Sequence, residues 1–486
     1  MKHLNTQILL IVALAAFLGC NNSAPAPTVF EERGTPAFMY ASNDGEIRFL
    51  SIQTNEGDTN YAVSRATNIG RNVDQFGPVA TGSDFKLDWS PFEDGEDPRI
   101  AAVLKRINRL HQANLGPRGR FFHQVVSASE SGRISLLSYF SEAAEEQRVI
   151  NDSVHTSGAF AKSVEYVNEN TFLVFHLDRL DDPLENDPFR ALGLILRFTV
   201  RPNGAFESET VRRFSVTNST IPDSNSNEIR PFSYASMANI SASANGEFYV
   251  LWGSVPPFDF TRQPYVIRQN GTIAVDPKDF TPKDFRNVPG IITNQYEPHP
   301  TRDSLFAVVD YSTAFANGAE TNGFHVLKMP VNSNNWFDVL HTLKPNRIMN
   351  NDMMRYPEIW RKRSIFISYS PLGDRIAILQ AISSQEPSLS IWFPEEDKVT
   401  QFDIDPSLNV NTVRKPAWYA EDPSKVFFTA GDSEAGVANI YFVDSDDDGG
   451  VAQKLDWDDD IEFINVPADD ALREARELVG RKIPNP

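Results

Sequence analysis

The stretch Pro416–Trp457 constrains this chain more than any other. It reads PAWYAEDPSKVFFTAGDSEAGVANIYFVDSDDDGGVAQKLDW. It divides into four strand-like runs, Pro416–Ala420, Lys425–Ala430, Asn439–Asp444 and Val451–Trp457, separated by turn-forming Asp, Pro, Ser and Gly. Four runs joined by hairpins predict one small antiparallel sheet. Such a sheet cannot bury its apolar faces alone, so it needs others to stack against.

Weaker copies of the same order occur upstream. Val164-Glu165-Tyr166 leads through Asn168–Asn170 into Phe172-Leu173-Val174-Phe175. Ile240-Ser241-Ala242 leads through Asn245-Gly246 into Phe248–Leu251, and Tyr296–Pro300 leads into Leu305–Val309. With Trp89, Val164, Ile240, Tyr296, Tyr369 and Trp418 as anchors, the units are spaced widely enough to carry long loops, with candidates at Lys105–Arg120, Asp178–Arg190 and Ser312–Gly323. The N-terminal runs Ala37–Ala41, Glu46–Ser51 and Asn60–Ala66 make a further unit without a first strand, a place that Ile461–Val466 is expected to fill. The expectation is an all-β chain whose residues 36–467 form a single β-propeller, most simply of seven four-stranded blades, sealed by its N- and C-terminal segments. Six or eight blades are the alternatives, and a pair of all-β sandwiches with chance turn motifs is the competing architecture. Leu472, Ala475 and Leu478 stand at helical spacing, which predicts a short helix over Ala468–Arg481 within a tail of 468–486. Composition agrees with many short strands: 41% of residues are apolar, 34 are Phe, and Pro (32) outnumbers Gly (26).

Several of these runs carry a family resemblance. Ser370-Pro371-Leu372-Gly373-Asp374-Arg375-Ile376-Ala377-Ile378 resembles the SPDG-basic-IA core of TolB-like (WD40-like) propeller repeats. Asp88-Trp89-Ser90-Pro91 followed by Asp97-Pro98-Arg99-Ile100-Ala101 resembles the same unit with an insertion. Pro416–Tyr419 resembles the PAWSP opening, with Ala420 in place of proline, and Asn439–Asp444 resembles the IYVMD third strand.

The N-terminus reads MKHLNTQILLIVALAAFLGC. Basic Lys2 and His3 precede an apolar run from Ile8 to Leu18, which suits a signal-peptide core and is short for a permanent span. Gly19 then precedes Cys20, the single cysteine. This resembles the bacterial lipobox, although Phe17 and Leu18 are bulkier than its usual residues. The resemblance implies a lipoprotein signal peptide at 1–19, diacylglyceryl transfer to the Cys20 thiol, cleavage before it, and acylation (palmitate among the chains) of the new amine. Residues 20–35 then read as a polar, Ala/Pro-containing tether, and Asn21, not being Asp, favours the outer membrane by resemblance to enterobacterial sorting. An ordinary secreted protein with a chance cysteine is the alternative. A single cysteine excludes an intramolecular disulfide and a Cys-based metal site.

With 65 acidic against 45 basic residues the net charge is −20, which repels phosphate backbones and argues against nucleic acid as a partner. The eight histidines form no HExxH, and no G-x-S-x-G elbow, G-x-G-x-x-G or Walker loop is present, so no catalytic residue is assigned. His299, between Pro298 and Pro300, reads as a turn residue. Asp444, Asp446 and Asp448, with Gly449, match the opening of a calcium loop, but its twelfth position is Leu455, so a weak Ca²⁺ site competes with a plain acidic hairpin turn. No other cofactor is expected. The reading that follows is a membrane-anchored binding or scaffold module of the bacterial cell envelope. Its partner is an envelope protein, a peptide or a glycan. The alternative is an envelope hydrolase or lyase with its site in the propeller funnel. Cys20→Ser in the full chain should abolish palmitate labelling and release the protein from the membrane fraction, and labelling that persists would remove the anchor from the account.

Overall fold

The computed structural model describes residues 36–481 except 42–46, 56–57, 66–84, 91–98, 109–119, 130–133, 140–158, 169, 181–189, 202–205, 218–238, 244–245, 253–264, 276–292, 311–322, 329–337, 345–346, 349–363, 383–384, 405–409, 411, 433–436 and 465–477. Cys20, the signal peptide and the tether therefore lie outside the described residues. So does most of the C-terminal tail.

The described strands form seven sheets that follow one another along the chain. Sheet 1 contains β1 (Pro36–Ala41), β2 (Ile47–Asn55) and β3 (Asp58–Arg65). Sheet 2 contains β4 (Phe85–Trp89), β5 (Arg99–Asn108), β6 (Arg120–Ser129) and β7 (Ile134–Tyr139). Sheet 3 contains β8 (Ala159–Asn168), β9 (Thr171–Leu180), β10 (Arg190–Val200) and β11 (Phe206–Thr217). Sheet 4 contains β12 (Asn239–Ala242), β13 (Phe248–Trp252), β14 (Tyr265–Arg268) and β15 (Ile273–Val275). Sheet 5 contains β16 (Thr293–Pro298), β17 (Leu305–Asp310), β18 (Gly323–Lys328) and β19 (Asp338–Leu343). Sheet 6 contains β20 (Ser364–Tyr369), β21 (Ile376–Ile382), β22 (Gln385–Phe393) and β23 (Lys398–Asp403). Then come β24 (Thr412–Val413), β25 (Ala417–Trp418), β26 (Lys425–Asp432), β27 (Val437–Asp444), β28 (Gly450–Val451), β29 (Gln453–Lys454), β30 (Ile461–Ile464) and β31 (Leu478–Gly480). Sheet 7 is built from β24, β25, β26, β27 and β29. The six sequence anchors from Trp89 to Trp418 fall in the first strands of sheets 2 to 7.

The packing explains the apolar runs. In β21, Ala377 and Leu379 join a core with Trp418 and Phe428 of sheet 7, while Ile376 and Ile378 join one with Phe324 and Val326 of sheet 5. In β26, Phe428 faces sheet 6, and Phe427 faces sheet 1, its ring 4.7 Å from that of Phe38. A strand buried on both faces reads as a continuous apolar run, here IAILQAI and KVFFTAGD, and does not alternate with polar residues. Strands of successive sheets pack on one another from sheet 2 through sheet 7, and sheet 7 packs on β31. Small antiparallel sheets stacked in series are the arrangement expected of β-propeller blades.

The chain ends meet in sheet 1, but not as the sequence suggests. Ile461–Ile464 does join this sheet, yet it pairs in parallel with β3, from Tyr61↔Ile461 to Ser64↔Ile464, at the edge away from β1. The place beside β1 belongs to β31, which pairs antiparallel through Phe38↔Gly480, Met39↔Val479 and Tyr40↔Leu478, and Arg481 N–H donates to Ala37 O at 3.1 Å. The helix expected over Ala468–Arg481 therefore gives way at 478–480 to a strand. The open hydrogen-bonding edge of β1 and the burial of Leu478 beside Phe38, Ala417 and Phe427 outweigh a marginal helical pattern. The expected fourth strand of the last unit is also divided: Gln453–Lys454 pairs with β27, and Gly450–Val451 crosses to pair in parallel with β23. Gly449, at φ +101°, makes the crossing possible, because a Cβ there would press on Gln401 O.

In an up-and-down sheet the first and third turns share one end, and the second turn shares the other with the link to the next sheet. The links 66–84, 140–158, 218–238, 276–292 and 344–363, and the second turns 109–119, 181–189, 253–264 and 311–322, join strand ends on one side. Of the three expected loops, residues 109–119, 181–189 and 312–322 lie outside the described residues, while Lys105–Asn108, Arg120, Asp178–Leu180, Arg190 and Gly323 belong to strands. The opposite side carries short turns such as 299–304, 370–375 and 419–424. Leu478→Asp places an unpaired charge in the core between sheets 7 and 1. It should cost roughly 3 kcal/mol or more, read as a lower urea midpoint, and an unchanged midpoint would refute the β31 pairing.

Candidate functional site

The short-turn side is built by a repeated device. After each first strand, a backbone N–H donates back across the turn: His299 to Leu305 O, Ser370 to Arg375 O and Tyr419 to Lys425 O, at 2.9, 2.9 and 3.0 Å. These bonds put Glu297, Ser368 and Ala417 at one register position in three successive sheets. They aim the turn residues at the neighbouring sheets.

One contact shows how the first strands face each other. Lys415 Nζ, just before β25 in sheet 7, lies 2.7 Å from both Oε1 and Oε2 of Glu297 on β16 in sheet 5. The pair passes over sheet 6, so Glu297 and Lys415 stand on the same side of β20. Tyr369 closes β20, buried to 7% exposure. Its hydroxyl has no hydrogen-bond partner among the described residues. Burial, and after it the negative charge of Glu297, pushes this phenol well above its ordinary value, so it stays a donor. On other first strands, Trp418 Nε1 donates to Ser368 O at 3.1 Å, and Asp88 Oδ2 accepts from Tyr166 N–H at 2.7 Å.

His299 is held in the adjacent turn. It is 5% exposed, its ring centroid is 4.9 Å from that of Tyr369, and its Nδ1 lies 3.2 Å from Thr301 N–H, which donates to it. Gly373 of the next sheet, at φ +74°, lies so close that a Cβ would collide with the imidazole. Burial, then the positive charge of Arg302, holds the His299 pKa down to about 4 against a smaller opposing effect from a hydrogen bond to Gly373 backbone. At neutral pH it is an uncharged wedge between sheets 5 and 6, which refines its reading as a turn residue.

The segment Ser370–Arg375 ties sheet 6 to sheet 7. Ser370 Oγ donates to Asp374 Oδ1 at 2.6 Å, and Arg375 Nε and Nη2 donate to Asp374 Oδ2 at 3.2 and 3.0 Å. Arg375 Nη1 reaches Ser445 Oγ at 2.7 Å and Asp446 Oδ1 at 2.6 Å, with its guanidinium 4.9 Å over the Phe393 ring. Burial raises the Asp374 pKa, but the bonds from Arg375 and Ser370 outweigh it and hold the carboxyl below its usual range. The three calcium candidates divide here. Asp446 is paired with Arg375, Asp444 Oδ1 accepts the Asp446 N–H at 3.0 Å, and Asp448 is exposed. Among the described residues, no group of three or more His, Cys, Asp or Glu could hold a metal ion.

A further tie joins sheets 7 and 1. Arg481 Nη1 donates to Glu421 Oε1 at 3.1 Å, and Tyr419 OH donates to Glu421 Oε2 at 2.9 Å. Glu297, Arg302 and Lys415 were not singled out by the sequence, and Tyr369 was singled out only as a repeat anchor. Their one signal is their place in the repeat: Glu297 two residues before His299, and Lys415 three before Trp418.

No protein-family model matches the chain, and no curated protein matches it. Solved structures similar to it include a periplasmic gluconolactonase of Pseudomonas aeruginosa, at TM-score 0.46 and 11% identity, covering 87% of this chain and 95% of that one. The β-propeller domain of the Trilobed protease of Pyrococcus furiosus gives 0.38 and 10%, covering 76% and 84%. TolB of Acinetobacter baumannii gives 0.35 and 9%, covering 79% and 82%. Likenesses this distant decide nothing about activity.

The His299 environment sets a pH dependence. The ordinary value is 6.5 and the folded value about 4, so between them the unfolded chain holds a proton that the folded chain does not. This contribution to stability is complete above about pH 6.5, declines as pH falls, and is lost below about pH 4, a change of roughly 3 kcal/mol. Urea unfolding from pH 7 to 4 should show that decline, flattened in His299→Gln. An imidazole that titrates near 6.5 in the folded protein would contradict it.

Proposed function

We propose that this chain is a lipid-anchored protein of the bacterial cell envelope whose seven sheets close into one β-propeller, and that the mouth of the ring on its short-turn side binds an envelope protein, a peptide or a glycan. The Glu297–Lys415 ion pair carries the ring. A bond from sheet 5 to sheet 7 that passes over sheet 6 fits first strands that curve around a common axis, with these side chains facing it. The double burial of sheets 6 and 7 supports the same closure, in which sheets 1 and 2 would cover each other's remaining faces. The lipobox resemblance at Cys20 and the tether after it support the anchor, Asn21 supports the outer membrane, and the net charge of −20 speaks against nucleic acid.

An envelope hydrolase or lyase is the second reading. Binding is favoured at this mouth because its titratable groups are committed: Glu297 is paired by both carboxylate oxygens with Lys415, and His299 is buried and neutral. General acid–base work needs a group poised near the working pH.

A Glu297→Cys/Lys415→Cys pair, made in a Cys20→Ser background and joined by a short bifunctional maleimide, tests both parts. The link should form and should lower capture of envelope components at least tenfold relative to the unlinked protein. Thiols that react singly but never join would remove the ring. A joined mouth that still captures its partner would move the binding site elsewhere.

A further inference from the structure

We infer that Asn270 is a site of spontaneous covalent modification, where Asn270 and Gly271 close to a succinimide that water opens to isoaspartate or aspartate, and that the tie from sheet 3 to this turn sets the rate. This chemistry is independent of the ring and of its mouth.

The turn between β14 and β15 presents Asn270-Gly271-Thr272, with Asn270 and Thr272 exposed to solvent. Succinimide closure needs an electrophilic side-chain carbonyl, the next backbone nitrogen as nucleophile, and no side chain blocking its approach. Asn270 supplies the carbonyl. Its Oδ1 accepts from Thr272 N–H at 3.0 Å and from Thr272 Oγ1 at 2.7 Å. Two donors on this oxygen polarise Cγ and hold the negative charge that develops when Cγ is attacked. Gly271 supplies the nitrogen and has no Cβ.

The fold restrains that nitrogen. Gly271 N–H donates to Arg268 O at 2.8 Å, and Arg268 N–H donates to Thr272 O at 2.8 Å. Gly271, at φ +82°, is seated so close to sheet 3 that a Cβ would collide with Val211 O of β11. Arg197 of β10 donates through Nη2 to Gln269 O, and to Tyr249 OH at 3.2 Å, while its Nη1 lies 2.6 Å from Glu209 Oε1. Ring closure must free the Gly271 N–H from Arg268 O. The reaction therefore runs from an opened turn, and every tie to sheet 3 lowers the opened population.

The step balances without a further reagent. Gly271 N bonds to Asn270 Cγ, the Cγ–Nδ2 bond breaks, and ammonia leaves with the proton that Gly271 N gives up. Water then cleaves one of the two imide C–N bonds. Cleavage at Cγ leaves aspartate. Cleavage at the main-chain carbonyl leaves isoaspartate, and the chain then runs through the side chain with one more methylene. That added length displaces Gly271 from Val211 and breaks the bonds of the turn, which loosens sheet 4 from sheet 3.

The test incubates the full chain in detergent at pH 8 and follows the tryptic peptide Gln269–Lys278, in which Asn270 is the single Asn. The peptide should gain about 1 Da and become a substrate for isoaspartyl methyltransferase. Arg197→Gln should raise the rate at least about threefold, the loss of a hydrogen bond's worth of restraint. The chain unfolded in urea should be fastest. If Arg197→Gln does not fold, Arg197→Lys, which keeps the charge and loses the fork, carries the comparison and should lie between parent and unfolded chain. Hydrogen exchange at Gln269 and Gly271 should lose protection in the isoaspartate form and keep it in Asn270→Asp, which adds the charge without the methylene. A folded chain that leaves Asn270 intact would overturn the site. Folded Arg197 variants that react no faster than the parent would overturn its control by sheet 3, and an isoaspartate form that keeps its protection would overturn the loosening.

Discussion

Burial on both faces of sheets 6 and 7 governs this structure. A four-stranded sheet with one wet face could stop after a single partner. In sheet 6, however, Ile376 and Ile378 point into one core and Ala377 and Leu379 into another, so the sheet needs a neighbour on each side. Sheet 7 repeats the pattern, with Phe428 turned to sheet 6 and Phe427 to sheet 1. Each added sheet covers one exposed face and presents another. The stack is therefore stabilised by length and is left with a problem only at its ends.

The polar contacts make sense within that stack. Sheets that touch through flat apolar faces could slide, and directional bonds at their rims set the register. Arg375 fastens the turn of sheet 6 to the Asp444–Gly449 turn of sheet 7, and His299 wedges against Gly373. Arg481 and Tyr419 converge on Glu421 where the C-terminal strand docks. At the edge away from the first strands, β28 on β23 and β30 on β3 add short parallel strands that lap one sheet over the next. The acid-rich segment that resembles the opening of a calcium loop takes part in this fastening. Its central carboxylate faces an arginine, and its glycines let the chain cross between sheets.

Much of the architecture could be read from residue order. The anchors from Trp89 to Trp418 mark the first strands, because an apolar run, a Pro/Gly/Asp turn and a second apolar run are local signals. The seam was harder. Ile461–Val466 is apolar and alternating, so it looked like the missing partner of β1, whereas Leu478–Gly480 is three residues of a pattern that also fits a helix. Pairing with one edge of sheet 1 or the other depends on where the chain has arrived after sheet 7, and periodicity carries no such information.

The Glu297–Lys415 contact shows the same division more sharply. Glu297 and Lys415 are separated by more than a hundred residues, and Tyr369 lies between them in the chain, so no local motif joins them. The sequence by itself determined that the chain would make many short apolar strands, turn at its Pro, Gly and Asp residues, and carry one cysteine in a lipobox-like setting, because these properties belong to neighbouring residues. Only the tertiary structure decided which strand seals sheet 1, which aspartate meets an arginine, and which hydroxyl is buried without a partner. These depend on distances between sheets, and such distances exist only once the stack is assembled.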